Sequence, residues 1–162
     1  MTRFISRETR SVAIPSEHGG WSLVLEPAIL GLLVAFSGAG AALAAGALLS
    51  FIARTPLRVV LVDRWRGRRL DRTQTAERIL TVELLVIFAL AILAFVTTAT
   101  PFWWPLAVAA PLIVVELWHD MRSRSRHLIP ELAGTIGVGS VATAIALAGS
   151  SETGIAFGLW VV

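Results

Sequence analysis

Ile79-Leu-Thr-Val-Glu83-Leu-Leu-Val-Ile-Phe88-Ala-Leu-Ala-Ile-Leu-Ala-Phe-Val96 runs for eighteen residues with a single charge. A bilayer core about 30 Å thick takes about 20 apolar residues of helix at about 1.5 Å each, so this stretch has the length and composition of a spanning helix. Four similar runs surround it: Trp21–Phe36, Ala41–Val62, Phe102–Trp118 and Leu132–Ala148. In chain order of all five, the second is interrupted by Arg54, Pro56 and Arg58, and the fourth, Phe102–Trp118, carries Glu116 near its end. A sixth run starts at Gly154 and stops nine residues later at Val162, too short to cross. The expectation is an all-α, polytopic transmembrane helical bundle with five full spans and a partial sixth. It forms one domain over residues 1–162, with residues 1–15 as a cytoplasmic N-terminal segment and the chain cut off inside its sixth helix. No secretory leader is evident ahead of the first run.

Composition supports that expectation. The 162 residues are 56% hydrophobic and 15% charged, and the mean hydropathy is +0.75. Soluble domains carry about 25% charge and could not bury this much apolar surface at this length. Cysteine is absent, which excludes disulfides, thiolate metal sites and a cysteine nucleophile. The basic residues form short clusters between apolar runs, a pattern unlike a nucleic-acid-binding stripe.

Every cation is an arginine, and their placement sets orientation. Arg3, Arg7 and Arg10 precede the first run, six arginines lie between Arg64 and Arg78, and Arg122, Arg124 and Arg126 follow the fourth. The intervening connections carry none. The positive-inside rule then places the N-terminus and both arginine-rich loops in the cytoplasm, as for a multi-pass protein of the plasma membrane. Trp103 and Trp104 fall at the outer interface, and Trp21, Trp65 and Trp118 at the inner one.

Charges inside the runs gather toward the inner side: Glu26, Arg54, Arg58, Glu83, Glu116, His119, Asp120 and Glu131. Each costs at least about 2.5–3.5 kcal/mol within a bilayer, which argues for protein partners or one wet cavity open to the cytoplasm. Arg58 and Asp63 read either as snorkelling groups or as parts of that cavity, and Arg54, the deeper one, either snorkels or meets a ligand or a buried partner, for which Glu26 and Glu83 are candidates in a structural ion pair. Arg54 and Arg58 share a helix face, and two guanidiniums so placed suit a phosphate or diphosphate. Asp63 and Asp71 are eight apart, with Gly67 available to bend the chain between them. They read either as Mg²⁺ ligands or as solvated loop carboxylates. Glu116, His119 and Asp120 read as zinc or proton groups or as a polar helix end. The opening Ser16-Glu17-His18-Gly19-Gly20-Trp21 reads as a helix cap with a membrane anchor or as part of a site.

Pro15-Ser16-Glu17-His18-Gly19-Gly20-Trp21, Glu26-Pro27 and Phe51-Ile52-Ala53-Arg54-Thr55-Pro56-Leu57 resemble the YwiC-like family of bacterial integral membrane proteins. Asp63-Arg64-Trp65-Arg66-Gly67-Arg68-Arg69-Leu70-Asp71 and Arg124–Gly134 more distantly resemble the UbiA-type prenyltransferases. There, Mg²⁺ on an Asp-rich motif after the second helix holds prenyl diphosphate. That likeness implies the first half of a UbiA-like bundle, although Arg64 and Gly67 stand where the motif's middle aspartates would be. The expected activity is binding of an anionic, prenyl-diphosphate-like lipid in a cytoplasm-facing cavity. Glu17, His18, Glu26, Arg54, Arg58, Arg126 and Glu131 are the ligand candidates, with Asp63 and Asp71 for any metal. Whether the chain is an enzyme stays open. A small-solute or ion transporter and a non-catalytic membrane subunit remain as alternatives.

Overall fold

The computed structural model describes residues 18–68, 70–121 and 128–161. Among these it is all-α, with six helices: α1 His18–Val34, α2 Gly38–Trp65, α3 Asp71–Thr97, α4 Trp103–Met121, α5 Leu128–Ala148 and α6 Thr153–Val161. Two of them, α2 with 28 residues and α3 with 27, are long and apolar enough to cross a membrane. The parts of α1, α4 and α5 over 20–34, 103–119 and 132–148 are shorter apolar helices.

Local signals set the helix ends. Ser37 caps α2 by accepting the Gly40 N–H at 2.9 Å. At its other end, Gly67 takes φ +65°, its N–H bonds the Arg64 carbonyl, and the Arg68 N–H bonds the Asp63 carbonyl. This is a Schellman closure, and a glycine adopts that left-handed backbone without steric cost. Gly67 therefore supplies the bend expected of it. α3 starts two turns before its apolar run, because Asp71–Arg78 is also helical. Glu83 accordingly lies about three turns into α3, deeper in the helix than the single turn suggested by the apolar run. Pro27, Pro56 and Pro111 sit inside α1, α2 and α4, and each helix continues through its proline. Each proline removes one backbone donor from its helix without ending it.

α5 is the central helix, packed against α1, α2, α4 and α6, whereas α3 packs chiefly on α2. Small residues permit the close approaches. A Cβ on Gly31 of α1 would stand 2.8 Å from the Ala142 carbonyl oxygen and from Ile145 Cβ. Ile145 is fully buried and clusters with Ala28 and Ala44. At the end of the bundle away from the arginines, Thr100 Oγ1 donates to the Leu147 carbonyl at 2.8 Å. The same carbonyl accepts the Ser150 N–H at 2.9 Å, so the hydroxyl adds a tie from the α3–α4 connection to the end of α5. Phe102 is buried beside Leu147 and Ala148. Val82, Leu85, Phe88, Phe95 and Val96 leave the outer face of α3 apolar and exposed.

Candidate functional site

The ionisable side chains of the described helices collect at one end of the bundle. That end is made by the start of α1, the second half of α2, the first half of α3, the end of α4 and the start of α5. It holds an ion pair between two helices, α2 and α4, beside α5. Arg54 Nη2 of α2 stands 2.9 Å from Glu116 Oε1 of α4, and the two side chains are 34% and 20% exposed. α5 makes room for the carboxylate at Gly134, where a Cβ would lie 3.1 Å from Glu116 Cδ and Oε2. Sequence spacing offered Glu26 or Glu83 as the partner of Arg54; the structure supplies Glu116. Apolar patterning reports depth along a helix but not which helices face each other, so the α2–α4 contact was not foreseeable.

Around this pair, Arg58 lies one turn farther along α2 and is exposed, and Glu26 of α1 is exposed. Trp21 of α1 packs edge-on against Phe51 of α2 at 5.2 Å between ring centres, one turn from Arg54. His119 Nδ1 donates to the Val115 carbonyl at 2.8 Å, which leaves Nε2 as its second ring nitrogen. Glu83 Oε2 is buried with no hydrogen-bond partner. Glu17 and Arg126 lie outside the described residues. His18 opens α1 and Glu131 lies in α5, but their side chains, like that of Asp120, are outside what is described.

Asp63 differs from its solvated reading. It is 1% exposed. Its carboxylate accepts Arg72 Nη2 on Oδ1 at 2.8 Å, and Arg72 Nε at 3.2 Å and Thr73 Oγ1 at 2.7 Å on Oδ2. Thr73 Oγ1 also accepts the Leu70 N–H at 3.2 Å, so one hydroxyl joins the helix start to the end of α2. Three hydrogen bonds thus satisfy the buried Asp63 carboxylate. Nearby, Arg64 makes a forked contact with Glu77, Nη2 at 2.9 Å and Nε at 3.1 Å. Asp63 thus braces the α2–α3 hairpin, and a divalent ion there would have to displace the Arg72 fork. Asp71 is exposed in the first turn of α3. Among the described residues, no three His, Asp or Glu stand together as a metal set. The brace was missed because residues nine and ten apart meet only once the Gly67 turn closes.

Fold and site together define a small all-helical protein, two of whose helices have membrane-spanning character, with its charged groups at one end. Residues 14–146 match the model of the YwiC-like protein family, and the chain belongs to that family. No curated protein and no solved structure matches it.

Proposed function

We propose that this YwiC-like protein is a multi-pass protein of the bacterial plasma membrane, N-terminus cytoplasmic, that binds a phosphate-bearing lipid of prenyl-diphosphate type at its charged end. In this reading α1 to α5 all cross the bilayer, and the chain forms the first half of a UbiA-like bundle. α1, with 17 residues, reaches about 25 Å and α5, with 21, about 31 Å. The observation that carries the ligand reading is the pairing of a held arginine with an exposed one on the same helix face. Glu116 fixes the Arg54 fork, and Arg58 one turn away is exposed. One guanidinium is preorganised and the other open, which suits two phosphate groups in series. Glu17, His18, Glu26, Arg126 and Glu131 would border the mouth. Asp63 and Asp71 would take Mg²⁺ only if the ligand's phosphates displaced Arg72.

The same ion pair favours a second reading, a non-catalytic membrane subunit in which Arg54–Glu116 is purely structural. Native mass spectrometry of the chain in detergent, with farnesyl diphosphate and with or without Mg²⁺, separates the two. Ligand binding predicts an adduct that Arg58→Gln weakens at least about tenfold, the scale of one lost charge-assisted contact, while the thermal transition stays in place. A folded chain with no adduct under either condition would reject the ligand reading in favour of the subunit.

A further inference from the structure

The turn between α2 and α3 has a charge distribution that the Arg54 site does not use. Five described arginines lie there, and two are neutralised: Arg64 by Glu77 and Arg72 by Asp63. Arg66 and Arg68 on the turn and Arg78 on α3 are exposed and make no ion pair among the described residues. Asp71 is the nearby exposed acid, and it sits in the first turn of α3, where the helix dipole already favours a negative charge. The patch is therefore cationic by design of its pairings. It is also bordered by apolar groups: Trp65 is 64% exposed and Leu70 45%. The Schellman closure at Gly67 and the Asp63 brace hold the turn in one shape, so these groups are presented without a large ordering cost.

We infer that this turn is a docking surface for the headgroups of anionic phospholipids, with Arg66, Arg68 and Arg78 engaging phosphodiesters and Trp65 and Leu70 seated among the upper acyl carbons. Unpaired guanidiniums complement a negatively charged leaflet, and an indole at the end of an apolar run suits the headgroup boundary. The inference rests on the membrane reading above but not on the Arg54 site.

The test uses the full chain, delipidated in detergent, with phosphatidylglycerol and phosphatidylcholine as probes in native mass spectrometry. Each surface arginine is worth about fivefold on an anionic membrane. Phosphatidylglycerol should therefore be preferred at least about tenfold, and Arg66→Gln/Arg68→Gln/Arg78→Gln should erase most of that preference. The corresponding triple lysine variant should keep it, which separates charge from fold. Inorganic phosphate should lower the preference no more than chloride at the same ionic strength, since a free ion lacks the acyl chains. Equal binding of the two lipids by the unmodified chain, an unchanged preference in the folded glutamine variant, or a loss to phosphate beyond that caused by matched chloride would each overturn the inference. If the glutamine variant does not fold, the unmodified chain still decides: its preference must fall as salt rises, and a salt-independent preference overturns the inference. Flotation with phosphatidylcholine vesicles after reconstitution tests the membrane reading separately. A chain that floats yet shows no lipid preference refutes only the docking surface.

Discussion

Arg72 presents both Nε and Nη2 to the two carboxylate oxygens of Asp63, at 3.2 and 2.8 Å, so that the first turn of α3 is clamped to the last turns of α2. Asp63 is buried and its carboxylate accepts three hydrogen bonds, two from Arg72 and one from Thr73. Asp63→Asn should cost about 1–3 kcal/mol in unfolding scans in detergent, because a buried hydrogen-bonded charge is lost. An Asp63→Asn protein as stable as the unmodified one would refute this role.

The Arg54–Glu116 pair is only partly exposed, at 34% and 20%, so its coupling should exceed that of the more open Arg64–Glu77 pair, at 62% and 38%. Double-mutant cycles with Arg54→Gln/Glu116→Gln and Arg64→Gln/Glu77→Gln should give about 1 kcal/mol or more for the first and less than about 0.5 kcal/mol for the second. Gly134→Ala probes the same junction from α5. Its methyl would press on the end of the Glu116 side chain at 3.1 Å, a group that can move. Stability should fall by less than about 1 kcal/mol, while the Arg54–Glu116 coupling measured in that background should shrink. Equal couplings for the two pairs would show that burial does not strengthen the α2–α4 contact.

Much of the fold was legible because apolar runs report helices directly. The expected stretch Trp21–Phe36 appears as α1, Ala41–Val62 as the middle of α2, and Leu132–Ala148 as most of α5. The start of α3 was not legible, since Asp71–Arg78 is polar and hydropathy is silent there; its helicity shows instead in bonds such as Thr75 Oγ1 to the Asp71 carbonyl. For the site, the shared face of Arg54 and Arg58 followed from spacing alone. Glu116 as the partner of Arg54 did not, because it depends on α2 and α4 meeting beside α5 at Gly134. Asp63 was readable as a charge near a turn, but its burial depends on Arg72 and Thr73 folding back over it.

Glycines divide into those that packing requires and those it does not. A Cβ on Gly149 would overlap the Ala35 carbonyl oxygen and stand 2.6 Å from Ala35 Cβ, so backbone would have to move. A Cβ on Gly46, in the interior of α2, meets nothing within 4 Å. Gly149→Ala should therefore destabilise by at least about 2 kcal/mol, whereas Gly46→Ala should stabilise by about 0.5–1 kcal/mol through helix propensity. Thermal unfolding of the two variants should move in opposite directions. A stable Gly149→Ala protein would show that the α1 and α5 ends do not pack this closely.

Two helix ends close with the same Schellman geometry but different residues in the left-handed position. α2 uses Gly67, at φ +65°, and α5 uses Ser150, at φ +66°. At the end of α5 the Ser150 N–H bonds the Leu147 carbonyl at 2.9 Å and the Ser151 N–H bonds the Ala146 carbonyl at 3.1 Å, so the turn is fixed by its hydrogen bonds. A residue with a Cβ pays about 1–2 kcal/mol there, part of which a glycine returns as extra freedom in the unfolded chain. Ser150→Gly should raise stability by about 0.5–1 kcal/mol, and Ser150→Ala should change it little, since alanine carries the same strain. Gly67→Ala should lose about 1 kcal/mol for the mirror-image reason, although its Cβ would meet no neighbour within 4 Å. The three melting temperatures should therefore rank Ser150→Gly above the unmodified protein and Gly67→Ala below it. A destabilised Ser150→Gly would mean that the serine hydroxyl, and not the backbone angle, decides how α5 ends.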